Sequence, residues 1–249
     1  MRDDGGERTH FALKVLGIVA NTLVMAPAIG VTAAFDARRA YWLSAAWADA
    51  NLWLSGVSVR ATRRAPLDPS RPYVFMSNHA SHFDALAVVA ALPEFQLRWV
   101  AKRELADIPV FGWALRNAGH IVIDRADPEQ ALATLRAAKA EMATGISVMI
   151  FPEGTREGDD HELLPLKKGG FVLAMETGTP IVPIAVRGSA AILPRDGWQI
   201  QSGVIDVVVG EPIPVEGTTR DALVARVESV LRRELGMTDA PRRRAMEGR

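Results

Sequence analysis

The hydrophobic pattern divides the chain into an apolar amino-terminal part and a longer part in which short apolar runs alternate with amphipathic ones. Residues 11–35 contain one charged side chain, Lys14. At about 1.5 Å per residue, a helix of this length can cross the roughly 30 Å hydrocarbon core of a bilayer. The pattern predicts a membrane-associating helix, with a kink or break where Pro27 and Gly30 interrupt it.

A second helix is predicted over residues 41–58, which hold Trp42, Trp47 and Trp53. Its polar residues form one narrow stripe at helical spacing: Ser44, Asn51, Ser55 and Ser58. Because Trp and Tyr favour the membrane–water boundary, we interpret this segment as a helix lying in the interface. Basic residues flank the first helix almost evenly, which leaves open a hairpin that enters one leaflet and returns. A pair of buried core helices in a soluble protein is the alternative.

Beyond residue 70 the pattern predicts strands alternating with helices. The predicted strands are residues 73–76, 97–101, 120–125, 146–151, 181–186 and 204–210. This alternation predicts an α/β fold with a mixed, mostly parallel sheet flanked by helices. The nearly all-apolar run 146–151 suits the sheet centre, whereas Pro183 predicts an edge strand or a bulge.

Three regions follow from this pattern. Residues 1–60 form the membrane-associating helices, residues 61–237 the main domain, and residues 238–249 a flexible basic tail. The polar residues 60–71 are predicted to be a linker. The 249 residues are 49% hydrophobic, with 29 basic and 29 acidic side chains and no cysteine. The charge balance argues against nucleic-acid binding, and the lack of cysteine excludes disulfides, thiolate catalysis and Cys-ligated zinc.

The segment Asn78-His79-Ala80-Ser81-His82-Phe83-Asp84 follows the first predicted strand and opens a helix. A carboxylate five positions after a histidine at such a junction can fold back to the imidazole. It then fixes the ring tautomer and leaves the other nitrogen free as a base for a hydroxyl group. This makes His79 and Asp84 candidate catalytic residues.

Two other interpretations of the same residues remain open. Ser81 and Asp84 match the S/T-x-x-D/E capping pattern, so Asp84 can be simply a helix cap. His79, His82 and Asp84 also supply three metal-ligand types, although no second cluster offers further ligands.

Several cations and a glycine-containing loop follow other predicted strands: Lys102, Arg125, the loop 152–156 and Lys167-Lys168. Ligands of open α/β sheets collect beyond the carboxyl ends of strands, so these groups are expected to line one cleft. Cations beside a His–Asp pair suit a hydroxyl substrate that carries a phosphate, because Arg and Lys bind phosphate through charge-assisted hydrogen bonds.

Four blocks of the sequence resemble the glycerolipid acyltransferase family, which includes the 1-acylglycerol-3-phosphate acyltransferases. The N-H-x-S-x-x-D block matches at residues 78–84, and a Gly-led apolar run ending in Arg matches at residues 119–125. The third block, F-P-E-G-T-R, is present at residues 151–156, and a V-P-I core lies at residues 182–184. The resemblance covers about residues 70–190.

The resemblance implies that His79 deprotonates the acceptor hydroxyl, that Asp84 orients His79, and that acyl-CoA or acyl-carrier protein donates the acyl group without another cofactor or a metal. It also implies a phosphate-binding set: Lys102, Arg125, Glu153, Gly154, Thr155, Arg156 and Lys167. The expected acceptor is a lysophospholipid, and the expected location is the cytoplasmic face of a membrane.

Three alternatives stay open. The same chemistry can serve another lysophospholipid, a lyso-aminolipid or a glycolipid. The chain can be a non-catalytic lipid-binding protein, or a metallohydrolase that uses His79 and His82.

Overall fold

The computed structural model describes residues 4–124, 127–155, 163–194, 197 and 199–237. The seven strands of this part of the chain are β1 Val57–Arg63, β2 Val74–Ser77, β3 Leu97–Lys102, β4 Ile121–Ile123, β5 Ser147–Ile150, β6 Ile181–Arg187 and β7 Gly203–Val209. Its helices are α1 Asp4–Phe35, α2 Ala37–Ser55, α3 Phe83–Ala91, α4 Arg103–Ala106, α5 Phe111–Asn117, α6 Pro128–Ala137, α7 Lys139–Met142, α8 Gly169–Thr177, α9 Ser189–Ile192 and α10 Arg220–Leu235. The predicted tail, residues 238–249, lies outside the described residues.

The strands form one sheet in the order β1-β7-β6-β2-β5-β3-β4. All neighbouring pairs are parallel except β6 and β7, which run antiparallel. The predicted mixed, mostly parallel sheet is therefore confirmed. The strand β5 lies between β2 and β3 and is buried throughout, in agreement with its apolar sequence.

The prediction that Pro183 marks an edge strand was wrong, because β6 lies between β2 and β7. The alternative of a bulge is supported, because the antiparallel register shifts by one residue between the pair Ile184–Val209 and the bridge Ile181–Ile213. The missing N–H falls where the β6–β7 pairing ends, at Ile184 opposite Val209. The Pro183 carbonyl still accepts a hydrogen bond from the Gly210 N–H, at 2.8 Å. A proline is tolerated in this interior strand since its nitrogen is not required by the ladder.

The predicted linker begins later than expected. Residues 57–63 form the edge strand β1, which pairs along its whole length with β7. Its exposed side chains include Arg60, which forms an ion pair with Asp206 of β7. An edge strand that is largely exposed to solvent has many polar side chains, which explains why the composition of this segment resembled that of a loop.

Two apolar layers cover the sheet. On one face, α2 and α3 pack over Phe75 of β2, Met149 of β5 and neighbouring strand residues. On the other face, α8 and α10 pack over Val74 and Val148. The carboxyl ends of the parallel strands remain open at one edge of this sandwich.

The amino-terminal helices form an antiparallel hairpin with its turn at Asp36. The side chain of Asp36 caps α2 by accepting hydrogen bonds from the N–H groups of Arg38 and Arg39, at 2.9 and 3.1 Å. The predicted break is absent, since α1 continues through Pro27 to Phe35. The two helices predicted for the amino-terminal part are therefore present as α1 and α2.

The polar stripe of α2 faces α1. Asn51 accepts a hydrogen bond from Asn21 of α1 at 2.9 Å, and Ser55 is fully buried. Trp47 donates its indole N–H to Thr22 at 3.0 Å, whereas Trp53 remains 79% exposed. The stripe is thus the contact between the two helices.

The helix α1 exposes most of its apolar surface. Only 17% of the apolar window Phe11–Phe35 is buried, at a mean hydropathy of 1.9. That exposure argues against the alternative of a buried core helix. Length and composition allow this helix to cross a membrane, which is consistent with membrane association.

Candidate active site

The strand β2 leads to His79 and Asp84, which lie at the carboxyl end of the parallel strands. One residue, Asn78, links Ser77, the end of β2, to His79, and Asp84 lies in the first turn of α3. The Nδ1 atom of His79 lies 2.8 Å from Oδ2 of Asp84. The Asp84 side chain is fully buried and that of His79 is 16% exposed. The pairing expected from the sequence is therefore present.

The capping interpretation also describes a real contact. Oδ2 of Asp84 accepts the N–H groups of Ala80 and Ser81, each at 2.8 Å. A carboxylate that returns to the start of its own helix is the reciprocal half of a capping box. Asp84 therefore holds the turn and the imidazole with one oxygen atom, and the two interpretations do not exclude each other.

Asn78 ties the motif to β6. Its side-chain amide donates to the Val186 carbonyl and its Oδ1 accepts the Val186 N–H, each at 2.8 Å. These two bonds continue the β2–β6 pairing one residue past the end of β2. The side chain of Ser81 donates to the Leu193 carbonyl at 2.9 Å, which fixes the turn from a second side.

Glu153 joins the first motif to the third. Its Oε1 accepts the backbone N–H of His79 at 2.8 Å, and its Oε2 accepts that of Leu164 at 2.9 Å. The residue is buried, at 3% exposure. A carboxylate supplies no donor to a phosphate, so this geometry favours a role for Glu153 in shaping the phosphate-binding loop.

Phe151 stacks on the candidate base. The ring centroids of His79 and Phe151 are 3.8 Å apart and the ring planes differ by 8°. Trp99 of β3 packs against the same phenyl ring, with centroids 5.8 Å apart. The imidazole is held by a hydrogen bond at one edge and by an aromatic face, which leaves it little rotational freedom.

A cavity of about 790 Å³ opens at His79. Its walls are largely apolar and come from the helices α1 to α5 together with β3. Lys102 and Thr155 line the cavity with His79. A hydrocarbon chain and a reacting hydroxyl can therefore occupy one continuous space.

The predicted cation set is only partly described. Lys102 ends β3 and lies on the cavity, whereas Arg125 and Arg156 fall outside the described residues. Lys167 reaches over Gly154, whose φ is +75° and whose added Cβ would lie 2.7 Å from Nζ of Lys167. Gly154 thus combines a left-handed backbone with close contact by a lysine, and both favour glycine.

A metal site receives no support from the geometry. Within the described ranges, no group of three or more His, Asp or Glu side chains is placed to hold a metal ion. His82 lines the cavity next to the His79–Asp84 pair without forming such a group with it.

Sequence reasoning missed the roles of Phe151, Asn78 and Glu153. All three belong to the recognised motifs, but their partners lie 72, 108 and 74 positions away. Only the parallel pairing of β2 with β5 and β6 brings those partners together. The motifs likewise do not predict that α1 and α2 line the cavity.

A family model described as Acyltransferase matches residues 58–187. A human protein, 1-acyl-sn-glycerol-3-phosphate acyltransferase alpha, is 35% identical over 72% of this chain and 62% of its own length. A Pseudomonas aeruginosa 1-acyl-sn-glycerol-3-phosphate acyltransferase is 37% identical over 60% of this chain and 57% of its own length. The chain thus spans about three fifths of each of these relatives.

The fold is also found in a crystal structure, that of the 1-acyl-sn-glycerophosphate (LPA) acyltransferase, PlsC, from Thermotoga maritima. The TM-score is 0.77, with 22% identity, over 92% of this chain and 96% of the other. The match extends beyond the motif region to the amino-terminal helices, since it includes more than nine tenths of the chain.

Proposed function

This chain belongs to the Acyltransferase family, and on that premise we propose that it transfers a fatty acyl group from acyl-CoA or acyl-carrier protein to 1-acylglycerol-3-phosphate, giving phosphatidate. The observation that carries the proposal is the His79–Asp84 pair at the mouth of an apolar cavity that also holds Lys102. The names of the relatives support the choice of acceptor.

The chemistry needs one base and one leaving thiol. Asp84 accepts the Nδ1–H of His79, so the Nε2 atom carries the lone pair that takes the proton of the acceptor hydroxyl. The acceptor oxygen then bonds to the thioester carbonyl carbon, and the C–S bond breaks. The departing sulfur receives the proton from Nε2, so His79 ends the cycle unchanged. No acyl-enzyme, metal or further cofactor enters this scheme.

The acceptor phosphate is assigned to four cations expected from the sequence. Lys102 lies on the cavity, and Arg125, Arg156 and Lys167 complete the proposed set. Gly154 and Thr155 form the loop that connects this set to Glu153. The exposed apolar surface of α1 supports a position at a membrane, and we place the site at its cytoplasmic face, where acyl-CoA and acyl-carrier protein are found.

Purified protein tests the proposal directly, with lysophosphatidate as acceptor and either donor. We expect acyl transfer that His79→Ala abolishes and that Asp84→Asn lowers by about 10² to 10⁴, the usual worth of general-base assistance. His82→Ala, at the neighbouring cavity position, is the matched control and should keep most of the activity. Loss of activity in His82→Ala together with inhibition by a chelator would instead support a metal site.

A panel of acceptors separates the remaining alternatives. Lys102→Ala is expected to raise KM for lysophosphatidate about tenfold or more while changing kcat little, since a charge-assisted bond is lost from the bound phosphate. Preference for a phosphate-free lysolipid would contradict the cation assignment. Absence of transfer to every lysolipid, with lipid binding retained, would indicate a non-catalytic protein.

A further inference from the structure

An apolar surface lies outside the motifs, between α4 and α5. We name it the α4–α5 surface and define it by Leu105, Ile108, Val110 and Trp113, which are 39–47% exposed. Four large exposed apolar side chains within nine residues are a feature of the kind that marks an interaction surface. The proposed catalytic mechanism uses none of them.

The α4–α5 surface is continuous with α1. Trp113 packs on Gly30, where an added Cβ would lie 2.0 Å from the indole ring. Leu23 lies seven residues before Gly30, hence on the same side of α1, and is 66% exposed. The exposed apolar face of α1 therefore runs directly onto Trp113 and the turn beyond it.

The backbone of residues 108–112, which lead into α5, forms a tight turn. Val110 has φ of +64° and ψ of −54°, an unusual conformation for a β-branched residue. The N–H of Phe111 closes the turn on the Pro109 carbonyl at 2.7 Å, and that of Gly112 bonds to the Ile108 carbonyl at 2.7 Å. The turn is thus secured by main-chain bonds while its apolar side chains remain exposed.

The same segment forms one wall of the cavity. Leu105 and Phe111 line the space that contains His79 and Lys102. Leu105 therefore belongs both to the exposed α4–α5 surface and to the cavity wall. Exposed Asp107 and Arg116 border the patch, which suits the headgroup level of a bilayer better than its hydrocarbon centre.

We propose that the α4–α5 surface is a second membrane-contacting surface, which places the wall of the cavity against a phospholipid bilayer so that lipid acceptors reach His79 from that side. The partner of this surface is a glycerophospholipid bilayer, because the surface continues the exposed apolar face of α1. The role in acceptor supply rests on the proposed function, whereas the contact with the bilayer does not.

The chain contains no cysteine, so single reporters can be introduced without background. Ile108→Cys and Met175→Cys, each labelled with an environment-sensitive fluorophore, are reconstituted in phosphatidylcholine–phosphatidylglycerol vesicles containing spin-labelled lipids. Met175 is the matched control because it is 37% exposed on α8, across the sheet. We expect strong quenching at position 108 and little at 175. Equal quenching at the two positions would overturn the proposal.

Activity measurements test the supply of acceptor. Ile108→Asp is compared with Met175→Asp on acceptors in vesicles and on short-chain acceptors dissolved as monomers. We expect Ile108→Asp alone to lose about tenfold on vesicles, the worth of one withdrawn apolar side chain, with unchanged rates on monomers. An equal loss on both would contradict a role in supply. If the wild-type protein transfers no acyl group to any acceptor, the proposed function fails. The quenching experiment then still decides whether the α4–α5 surface contacts the bilayer.

Discussion

At the scale of single residues, the site depends on side chains that perform two tasks. Asp84 accepts three hydrogen bonds at one oxygen, from His79 and from the N–H groups of residues 80 and 81. The base is therefore positioned by the same contacts that start α3. Any substitution of Asp84 perturbs both the turn and the imidazole, so its kinetic effect needs a companion measurement of folding.

Phe151 offers a cleaner test of positioning. Phe151→Leu keeps an apolar side chain but removes the ring that stacks on His79 at 3.8 Å. We expect kcat to fall about two- to tenfold with little change in KM, since aromatic pairs contribute about 0.5–1.5 kcal/mol. Phe151→Tyr, which retains the ring, should restore kcat in steady-state assays. An unchanged kcat in Phe151→Leu would show that stacking does not position the base.

His120 is a partly buried group that lines the cavity and resists protonation. Burial, assisted by the charge of Arg98, lowers the pKa of His120 from 6.5 to about 3. Below pH 6.5 His120 is protonated in the unfolded chain, whereas in the folded protein it stays neutral down to about pH 3. The free energy of unfolding therefore falls as the pH falls from 6.5 towards 3. At pH 5 the loss is about 2 kcal/mol.

The variant His120→Asn tests this loss. Its side-chain oxygen can still accept the Trp99 N–H, which Nδ1 of His120 accepts at 3.2 Å, but it does not titrate. Urea unfolding at pH 7 and pH 5 should show about 2 kcal/mol less destabilisation in the variant than in the wild type. Identical pH dependence in both proteins would contradict the pKa assignment.

At the scale of elements, α1 is positioned by small residues. Gly30 admits the indole of Trp113, and Ala26, Ile29 and Ala33 pack against α5 along the same stretch. Glycine and alanine allow α1 to approach α5 closely in the stretch that follows Pro27. The glycine that was expected to interrupt α1 instead allows a close contact with Trp113.

Two glycines of α1 form a matched pair for testing this contact. Gly30→Ala places a methyl group into the Trp113 ring, whereas an added Cβ at Gly17 meets only the tip of Leu54 at 3.1 Å. Alanine gains about 1 kcal/mol of helix propensity over glycine at either position. In thermal unfolding in detergent we expect Gly17→Ala to be neutral or stabilising and Gly30→Ala to lower Tm. Equal behaviour would show that Trp113 moves aside without cost.

At the scale of the whole molecule, the amino-terminal hairpin is part of the domain. Tyr41 and Leu52 of α2 belong to the same apolar cluster as Phe75 and Met149 in the sheet. Each buried side chain of this size contributes about 1.5–3 kcal/mol, and an entire domain is stable by only about 5–15 kcal/mol. The boundary near residue 60 thus separates segments that share a core.

A deletion experiment follows from this shared core. Removal of residues 1–56 should yield a chain without a cooperative unfolding transition, because it uncovers part of one face of the sheet and opens the cavity. Removal of residues 1–10, which stops before the apolar window at Phe11, is the control and should unfold cooperatively. Circular dichroism melts in detergent distinguish the two. A stable fold without residues 1–56 would show that the hairpin is a separable anchor.

The sequence by itself determined the α/β class, the order of most strands along the chain, and the pairing of His79 with Asp84. These features are local: apolar periodicity sets each element, and five residues of a strand-to-helix turn bring a carboxylate to an imidazole. The start of α6 is equally local, since Asp127 caps it by accepting the N–H groups of Glu129 and Gln130.

Only the tertiary structure decided what surrounds that pair. Parallel pairing of β2 with β5 places Phe151 on His79, and pairing with β6 gives Asn78 its partner Val186. The partner of the polar stripe of α2 and the interior position of β6 were not predicted, because both depend on neighbours distant in the chain. Burial and strand order are properties of packed surfaces, and a single sequence records them only through the average polarity of each segment.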